Sequence, residues 1–170
     1  AAVVVLLSNV ISLVLASIVE SDIRFRTLSR SLFFLPTLVG SILVALIWSF
    51  IFTGVMPEIM RLVGLGALRI RWFGSPDLAF VTLCVVATWQ NIGFLMIVYI
   101  AGLQAIPEQL YESAKIDGAS AIARFKSITL PMVVPAITVN VFVSITFAFK
   151  FFELPFALTF GGPGNATETM

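Results

Sequence analysis

The chain has 170 residues, of which 59% are apolar and only 11% are charged, and its net charge is +1. Soluble domains carry about 25% charged residues because water must wet their surfaces, so much of this chain must face hydrocarbon instead. The near-zero charge and the lack of a basic, aromatic-rich stripe exclude nucleic-acid binding. With no histidine and one cysteine, neither a metal site nor a disulfide framework is expected.

Four long segments contain no charged residue, and each can supply the roughly 20 apolar residues that cross a bilayer as a helix. These segments are 1–19, 31–57, 78–107 and 127–149. Because the backbone must satisfy its own hydrogen bonds inside lipid, they predict four membrane-spanning helices. A buried helix of a soluble core would explain one such segment but not four in succession. The predicted fold is an all-α, polytopic transmembrane helix bundle that forms a single domain over residues 1–170.

The predicted spans, in chain order, are A from Ala1 to Val19, B from Leu32 to Thr53, C from Leu78 to Leu103 and D from Met132 to Phe149. Span B contains Pro36 and Gly40, which membrane helices tolerate where neighbouring groups re-satisfy the backbone. Between spans B and C, a short amphipathic helix that opens at Pro57 is predicted to lie in the membrane interface. The tail from Lys150 onward is rich in glycine around 161–164 and is predicted to be irregular.

Between spans C and D lies the longest polar stretch, residues 106–131, and its pattern predicts two short helices around a glycine. Pro107 is suited to start the first helix. Gly118 sits where a helix ends through a left-handed residue. Ser120 can then cap the second helix with its side-chain oxygen. The predicted element is a compact helix-turn-helix.

One motif in this stretch is specific. Glu112-Ser113-Ala114 is followed after three residues by Gly118, and after nine more by Ile128-x-Leu130-Pro131. This spacing resembles the EAA loop of binding-protein-dependent ABC permeases. Ser113 replaces the usual Ala, and it is small enough to keep the helix face flat. Further segments resemble sugar permeases of the oligosaccharide and glycerol-phosphate type, namely 26–36, 72–79, 101–112 and 158–169.

The resemblance implies a transport role for the chain and no enzymatic activity of its own. It implies that residues 105–131 are cytoplasmic and couple the chain to separate ABC ATPase subunits, which would use ATP and Mg. The coupling residues carried over are Glu112, Ser113, Ala114, Asp117, Gly118, Ala119, Ile128, Leu130 and Pro131. The sequence has no G-x-x-x-x-G-K-[ST] loop to cradle phosphates, in agreement with an ATPase on another chain.

The family likeness also implies a second permease subunit, an extracytoplasmic solute-binding protein and a multi-pass position in the cell inner membrane. A carbohydrate, either a sugar or glycerol phosphate, is the expected cargo. This chain would bind no cofactor itself. It is expected to be a piece of a longer protein, with a first span before Ala1 and a last span after Met170.

Polar side chains at membrane depth are costly and usually face a bundle interior or a water-filled cavity. On that basis Gln90, Asn91 and Asn140 are candidate groups for binding cargo hydroxyls, and Trp89 is a candidate for stacking on a sugar face. The alternative is that the three amides only hydrogen-bond between helices. Asn9 in span A is expected to be structural.

Orientation follows from the basic residues if the spans alternate. One side would carry Arg24, Arg26, Arg30, Lys115, Arg124 and Lys126, and the other Arg61, Arg69, Arg71 and Lys150. Cytoplasmic loops carry an excess of Lys and Arg, so this small excess favours the side of residues 105–131 as cytoplasmic.

Three other classes of function fit the sequence less well. A DNA-reading helix-turn-helix also has two helices and a turn, but spans C and D flank this one closely. An ion-driven transporter or channel would be expected to carry carboxylates or histidine within its spans, which this sequence does not. A membrane enzyme would need catalytic groups that converge near the interface. The ABC permease interpretation is the one that explains the motif.

Overall fold

The computed structural model describes residues 2–20, 26–64, 72–149 and 153–159, and all regular secondary structure in these ranges is helical. The helices are α1 (Ala2–Glu20), α2 (Arg26–Leu38), α3 (Ser41–Leu62), α4 (Pro76–Gln104), α5 (Glu108–Ile116), α6 (Ala121–Phe149) and α7 (Glu153–Thr159). Two of them contain a single π-helical turn, Ile51–Val55 in α3 and Phe125–Thr129 in α6. The predicted all-α fold is confirmed.

Four of these helices, α1, α3, α4 and α6, are long and apolar enough to cross a membrane. The predicted number of spans is therefore confirmed. Their outer faces expose large apolar side chains such as Leu6, Leu43 and Phe142. Apolar surface on this scale would be an association hazard in water, whereas lipid tails are its natural contact in a bilayer.

The second predicted span was wrong in its boundaries. The sequence predicted one helix from Leu32 to Thr53, but α2 ends at Leu38 and Gly40 is extended before α3 begins. The N–H of Val39 donates to the carbonyl of Pro36 at 3.2 Å, which closes a tight last turn. A run without charge reports how apolar a segment is, but it does not report where the helix breaks. The membrane-crossing helix is Ser41–Leu62.

The interfacial helix predicted to open at Pro57 was also wrong as a separate element, because this segment forms the last turns of α3. The chain stays helical through the π-helical turn, in which the N–H of Met56 reaches back to the carbonyl of Ile51. A proline inside an α-helix collides with the carbonyl four residues earlier. The wider turn directly before Pro57 gives its ring room and so explains why the helix continues.

The central helix is α4, which runs through both clusters of the buried core. Ser75 caps its start by accepting a hydrogen bond from the N–H of Leu78. One cluster lies toward residue 106 and comprises Ala16, Val19, Met96, Tyr99, Ile100, Ile106 and Val133. The other lies toward the opposite end and comprises Val44, Ala45, Phe52, Leu83, Val86, Ala87, Leu154 and Leu158. The spans α1, α3 and α6 are packed around α4 through these clusters.

Helix α2 lies directly on α4. A side-chain carbon built at Gly93 would fall 2.1 Å from the carbonyl oxygen of Phe33, so the two backbones meet where α4 has no side chain. Two hydrogen bonds continue this contact across the α2–α3 break. The hydroxyl of Thr37 donates to the carbonyl of Gln90 at 3.1 Å, and the Gln90 amide donates to the carbonyl of Val39 at 3.2 Å. The carbonyl of Val39, at the break, therefore keeps a partner.

The tail predicted to be irregular contains the short helix α7. Its Leu154 and Leu158 are buried against α3 and α4. Two apolar residues four positions apart share one helix face, and this short pattern was overlooked beside the glycines that follow. The glycine-rich segment 161–164 lies outside the described residues.

Candidate functional site

The predicted turn between α5 and α6 is formed as the sequence indicated. Gly118 has a φ of 74°, in the left-handed region that a residue without Cβ adopts freely. The N–H of Ala119 bonds to the carbonyl of Ala114 at 2.9 Å, and that of Gly118 bonds to Lys115 at 3.1 Å. These two bonds form a Schellman closure, which satisfies the last carbonyls of α5.

The start of the second helix also agrees with the prediction. The Ser120 hydroxyl accepts a hydrogen bond from the N–H of Ala123 at 3.2 Å, as a helix N-cap does. The Arg124 guanidinium donates to the carbonyl of Ala119 at 2.7 Å and ties the helix back to the turn. The turn is thus fixed by bonds from both of its helices.

The predicted separate second helix was wrong. From Ala121 the chain stays helical to Phe149, so span D and the second short helix are one element. The polar stretch was predicted to end at Pro131, and span D was predicted to begin at Met132. Pro131 follows a π-helical turn in which the N–H of Leu130 bonds to Phe125, the arrangement that also precedes Pro57 in α3. The wider turn again accommodates the proline without a break.

The motif residues divide by exposure. Glu112, Ser113, Asp117, Gly118, Leu130 and Pro131 are exposed, whereas Ala114, Ala119 and Ile128 are half-buried. The structure places the carboxylates of Glu112 and Asp117 on the outside of the turn. Their charges are therefore available for contacts with another molecule.

Two apolar side chains that the sequence analysis did not single out stand at the same turn. Ile116 is 87% exposed and Ile122 is 70% exposed. Both lie beside the ordered turn, so apolar and charged side chains are exposed together on this part of the chain. The signal in the sequence was an isoleucine on either side of a polar Asp-Gly turn.

A second feature is a small cavity inside the membrane-spanning bundle, lined mainly by apolar side chains together with three polar ones. Its volume is about 20 Å³, and its lining comprises Val4, Val5, Ser8, Asn91, Ser144, Phe147 and Ala148. A volume of this size accommodates about one water molecule. Its three polar side chains come from α1, α4 and α6, so the cavity lies where three spans meet.

Buried hydrogen bonds hold the helices together beside this cavity. Asn9 on α1 accepts from the Tyr99 hydroxyl at 2.8 Å and donates to the Ser144 hydroxyl at 2.9 Å. Ser144 donates in turn to the carbonyl of Asn140 at 2.6 Å. Asn9, Tyr99 and Ser144 therefore link α1, α4 and α6. Asn9 was expected to be structural, and its interhelical hydrogen bonds agree with that role.

The four candidate cargo residues lie in different surroundings. Asn91 lines the cavity, and its amide donates to the carbonyl of Ala87 at 2.9 Å. Asn140 is fully buried and donates to the carbonyl of Leu95 at 3.0 Å. Gln90 supports the α2–α3 break. Trp89 is 39% exposed, and its ring meets that of Trp48 edge-on, 5.4 Å between centroids. Asn91 is thus brought together with Ser8 and Ser144 rather than with the other candidates.

The serines of the cavity were missed by the sequence analysis. A serine in a membrane helix commonly bonds to the carbonyl four residues earlier, as Ser8 does to Val4 at 2.6 Å. Its presence therefore carries little information until the packing of neighbouring helices is known. Only the juxtaposition of α1, α4 and α6 singles out these hydroxyls.

The fold and this turn together define a class of protein, a polytopic membrane helix bundle with an exposed helix-turn-helix at one end. Residues 8–170 match the family described as the binding-protein-dependent transport system inner membrane component. The chain belongs to this family and is a multi-pass membrane protein.

Individual relatives agree. The chain is 37% identical over 164 residues to the probable starch degradation products transport system permease protein AmyD of Thermoanaerobacterium thermosulfurigenes, covering 96% of this chain and 56% of the relative. It is 34% identical to the trehalose/maltose transport system permease protein MalF of Thermococcus litoralis, with the same coverages of 96% and 56%. The chain thus spans about half the length of these curated relatives.

A solved structure shares the fold. The chain is similar to a chain of a bacterial ABC transporter involved in the import of the acidic polysaccharide alginate, with a TM-score of 0.80. Sequence identity is 24%, and the match covers 97% of this chain and 60% of that chain. The arrangement of the helices is therefore retained where three residues in four differ.

Proposed function

We propose that this protein is the membrane-spanning permease subunit of an ATP-driven importer that translocates a carbohydrate. The observation that carries the proposal is the exposed Schellman turn at Gly118, with the EAA-type spacing around it, in a chain of this family. Relatives named for the transport of starch degradation products and of trehalose/maltose support a carbohydrate cargo. The chain itself performs no chemistry in this role.

In the proposed assembly, α5 and the start of α6 dock on a separate ABC ATPase at the cytoplasmic face. Glu112 and Asp117 supply charged contacts, and Ile116 and Ile122 supply apolar ones. ATP and Mg bind to the ATPase, since this sequence has no phosphate-binding loop. A second permease subunit completes the pathway, and a solute-binding protein delivers the cargo from outside.

The test uses the full-length protein expressed with its gene neighbours and purified through a tag on the permease. We expect an ABC ATPase to co-purify and the reconstituted complex to take up labelled maltose, maltotriose or trehalose only when ATP is supplied. A permease that brings down no ATPase, or uptake that persists without ATP, would contradict the proposal.

For the cargo path, we propose that Asn91 offers its amide to a cargo hydroxyl, together with the hydroxyls of Ser8 and Ser144, when the three spans move apart. This rests on their convergence at one cavity between three spans. As it stands, the cavity accommodates only about one water molecule. Gln90 and Asn140 are assigned structural roles, because their amides bond to backbone carbonyls of neighbouring helices or of a helix break.

Replacing Asn91 by Leu is expected to raise the KM for sugar transport roughly five- to thirtyfold. This is the range expected when a desolvated cargo hydroxyl loses its hydrogen-bond partner. Uptake kinetics in proteoliposomes measure this. Ser17→Ala is the matched control, since Ser17 bonds only within α1, to the carbonyl of Leu13, in the described hydrogen bonds. An unchanged KM for Asn91→Leu would remove this residue from the path.

A further inference from the structure

Helix α5 contacts the buried core of the bundle through Tyr111. All its residues are described, and none of them is buried. Of its residues only Tyr111 packs against the core cluster that contains Ile106 and Val133. The Tyr111 hydroxyl also forms a 2.8 Å hydrogen bond with the hydroxyl of Thr129 on α6. Tyr111 therefore joins α5 to the long helix both by packing and by a hydrogen bond.

Thr129 occupies a special position in α6. It is the last residue of the π-helical turn, it is 7% exposed, and Pro131 follows two residues later. Threonine in a helix usually returns its hydroxyl to the carbonyl four residues earlier, as Thr138 and Thr146 do in the same helix. The hydroxyl of Thr129 instead forms its hydrogen bond with Tyr111 of another helix. The hydroxyl is thus directed at the contact with α5.

We propose that Tyr111 and Thr129 are positioning residues whose hydrogen bond transmits displacement of α5 to the membrane helix α6. This inference rests on the proposed function, in which an ATPase pushes or pulls α5. A force on an exposed helix moves a neighbouring helix only through contacts that resist it. Without the bond, part of the displacement of α5 is taken up within α5 and its connections, so ATP hydrolysis proceeds with less movement of α6.

The experiment uses the complete reconstituted complex and three variants that disrupt the bond with little change in volume. Tyr111→Phe keeps the ring in the core and removes its hydroxyl. Thr129→Val removes the other hydroxyl, and the double variant removes both. Thr129→Ser restores a hydroxyl as a rescue. Thr138→Val is the matched control, because it removes a hydroxyl from α6 that bonds only within the helix in the described structure.

The measured quantity is the number of labelled maltose, maltotriose or trehalose molecules taken up per ATP hydrolysed. We expect this ratio to fall about three- to tenfold in either single variant, the factor that one ordinary hydrogen bond represents. The double variant should fall no further than the singles, because the same bond is already lost. Thr129→Ser and Thr138→Val should keep at least half of the wild-type ratio.

The result must be separated from simple loss of structure. The amount of ATPase that co-purifies and the thermal unfolding temperature are measured for every variant. The proposed role of the Tyr111–Thr129 bond would be overturned if the transport ratio fell only in variants that also lose ATPase or thermal stability. It would also be overturned if the losses of the two single variants added up in the double variant. A wild-type ratio in Tyr111→Phe would overturn it as well. If the wild-type complex itself shows no ATP-dependent uptake, the proposed function fails, which is a distinct outcome.

Discussion

At the scale of single residues, Gly118 shows why some sites can be predicted from sequence. Its role depends on its own backbone and on neighbours within a few positions: the carbonyls of Ala114 and Lys115 and the cap at Ser120. All of these determinants lie within a few positions of one another in the sequence, so the turn was predicted correctly. The turn carries the proposed coupling surface, which makes its geometry open to test.

Replacing Gly118 by Val is expected to disrupt this turn, because the left-handed conformation costs a residue with a Cβ about 1–2 kcal/mol. No heavy atom lies near the position of a Cβ at Gly118, so the penalty comes from the backbone rather than from a clash. We expect roughly tenfold less ATPase to co-purify with the variant, with membrane insertion unchanged.

Gly118→Asn is the matched control for this prediction, since asparagine adopts the left-handed conformation more readily than other residues with a Cβ. It should retain most of the ATPase binding. Equal loss in the Val and Asn variants would show that the backbone conformation is not the cause.

Gln90, Asn91 and Asn140 show where prediction from sequence ends. All three are amides at membrane depth, and nothing in their immediate neighbours distinguishes them. Gln90 is paired with the carbonyl of Val39, more than fifty positions away along the chain, because α2 breaks there and α4 lies alongside. Which amide faces a cavity is decided by the packing of distant helices, and a local pattern does not contain that information.

At the scale of helices, the sequence predicted the number of spans but not their exact course. Uncharged runs located α1 and α4 to within a few residues because lipid imposes the same requirement on every residue of a span. The breaks and continuations depended on finer features. Pro36 and Gly40 precede a break, whereas Pro57 and Pro131 lie inside continuous helices, each directly after a π-helical turn. A proline alone therefore does not decide the boundary.

The contact of α2 with α4 gives the sharpest prediction at this scale. In Gly93→Ala the new carbon would lie 2.1 Å from the carbonyl oxygen of Phe33, a backbone atom that cannot rotate away. The two helices must separate, and overpacking of this kind typically costs about 1–3 kcal/mol. We expect a clearly lower unfolding temperature for the protein purified in detergent.

Gly54→Ala is the matched control, because its new carbon would meet only the Phe50 ring, at an ordinary 3.6 Å. It should leave the unfolding temperature unchanged or raise it, since alanine is the better helix former. If both variants unfold alike, the close approach of α2 and α4 is not a determinant of stability.

At the scale of the whole molecule, the alternating spans give the bundle two distinct ends. Glu20 and Arg30, which form an ion pair at 2.9 Å, lie at the end of α1 and the start of α2. Ile106 packs with Ala16 and Val19, so the turn at Gly118 is at that same end. The basic residues predicted this end to be cytoplasmic by a small margin, and the proposed docking of an ATPase requires it.

Orientation is tested by single cysteines in a variant whose buried native Cys84 is replaced by Ala. Lys115→Cys at the turn should react with a membrane-impermeant maleimide only after the membrane is opened. Gly74→Cys, which is exposed before α4 at the opposite end, should react in intact spheroplasts. The reverse labelling pattern would place the turn at Gly118 outside the cell and exclude ATPase docking there.

The unbroken helix α6 has a mechanical consequence. It has 29 residues and is therefore about 43 Å long at 1.5 Å per residue. Asn140, bonded to the carbonyl of Leu95, lies about two-thirds of the way along it. A tilt about this point works as a lever with unequal arms. In such a tilt the tip at Ala121 moves about twice as far as the tip at Phe149 and in the opposite direction, so Phe147 and Ala148 shift slightly against the cavity that they line.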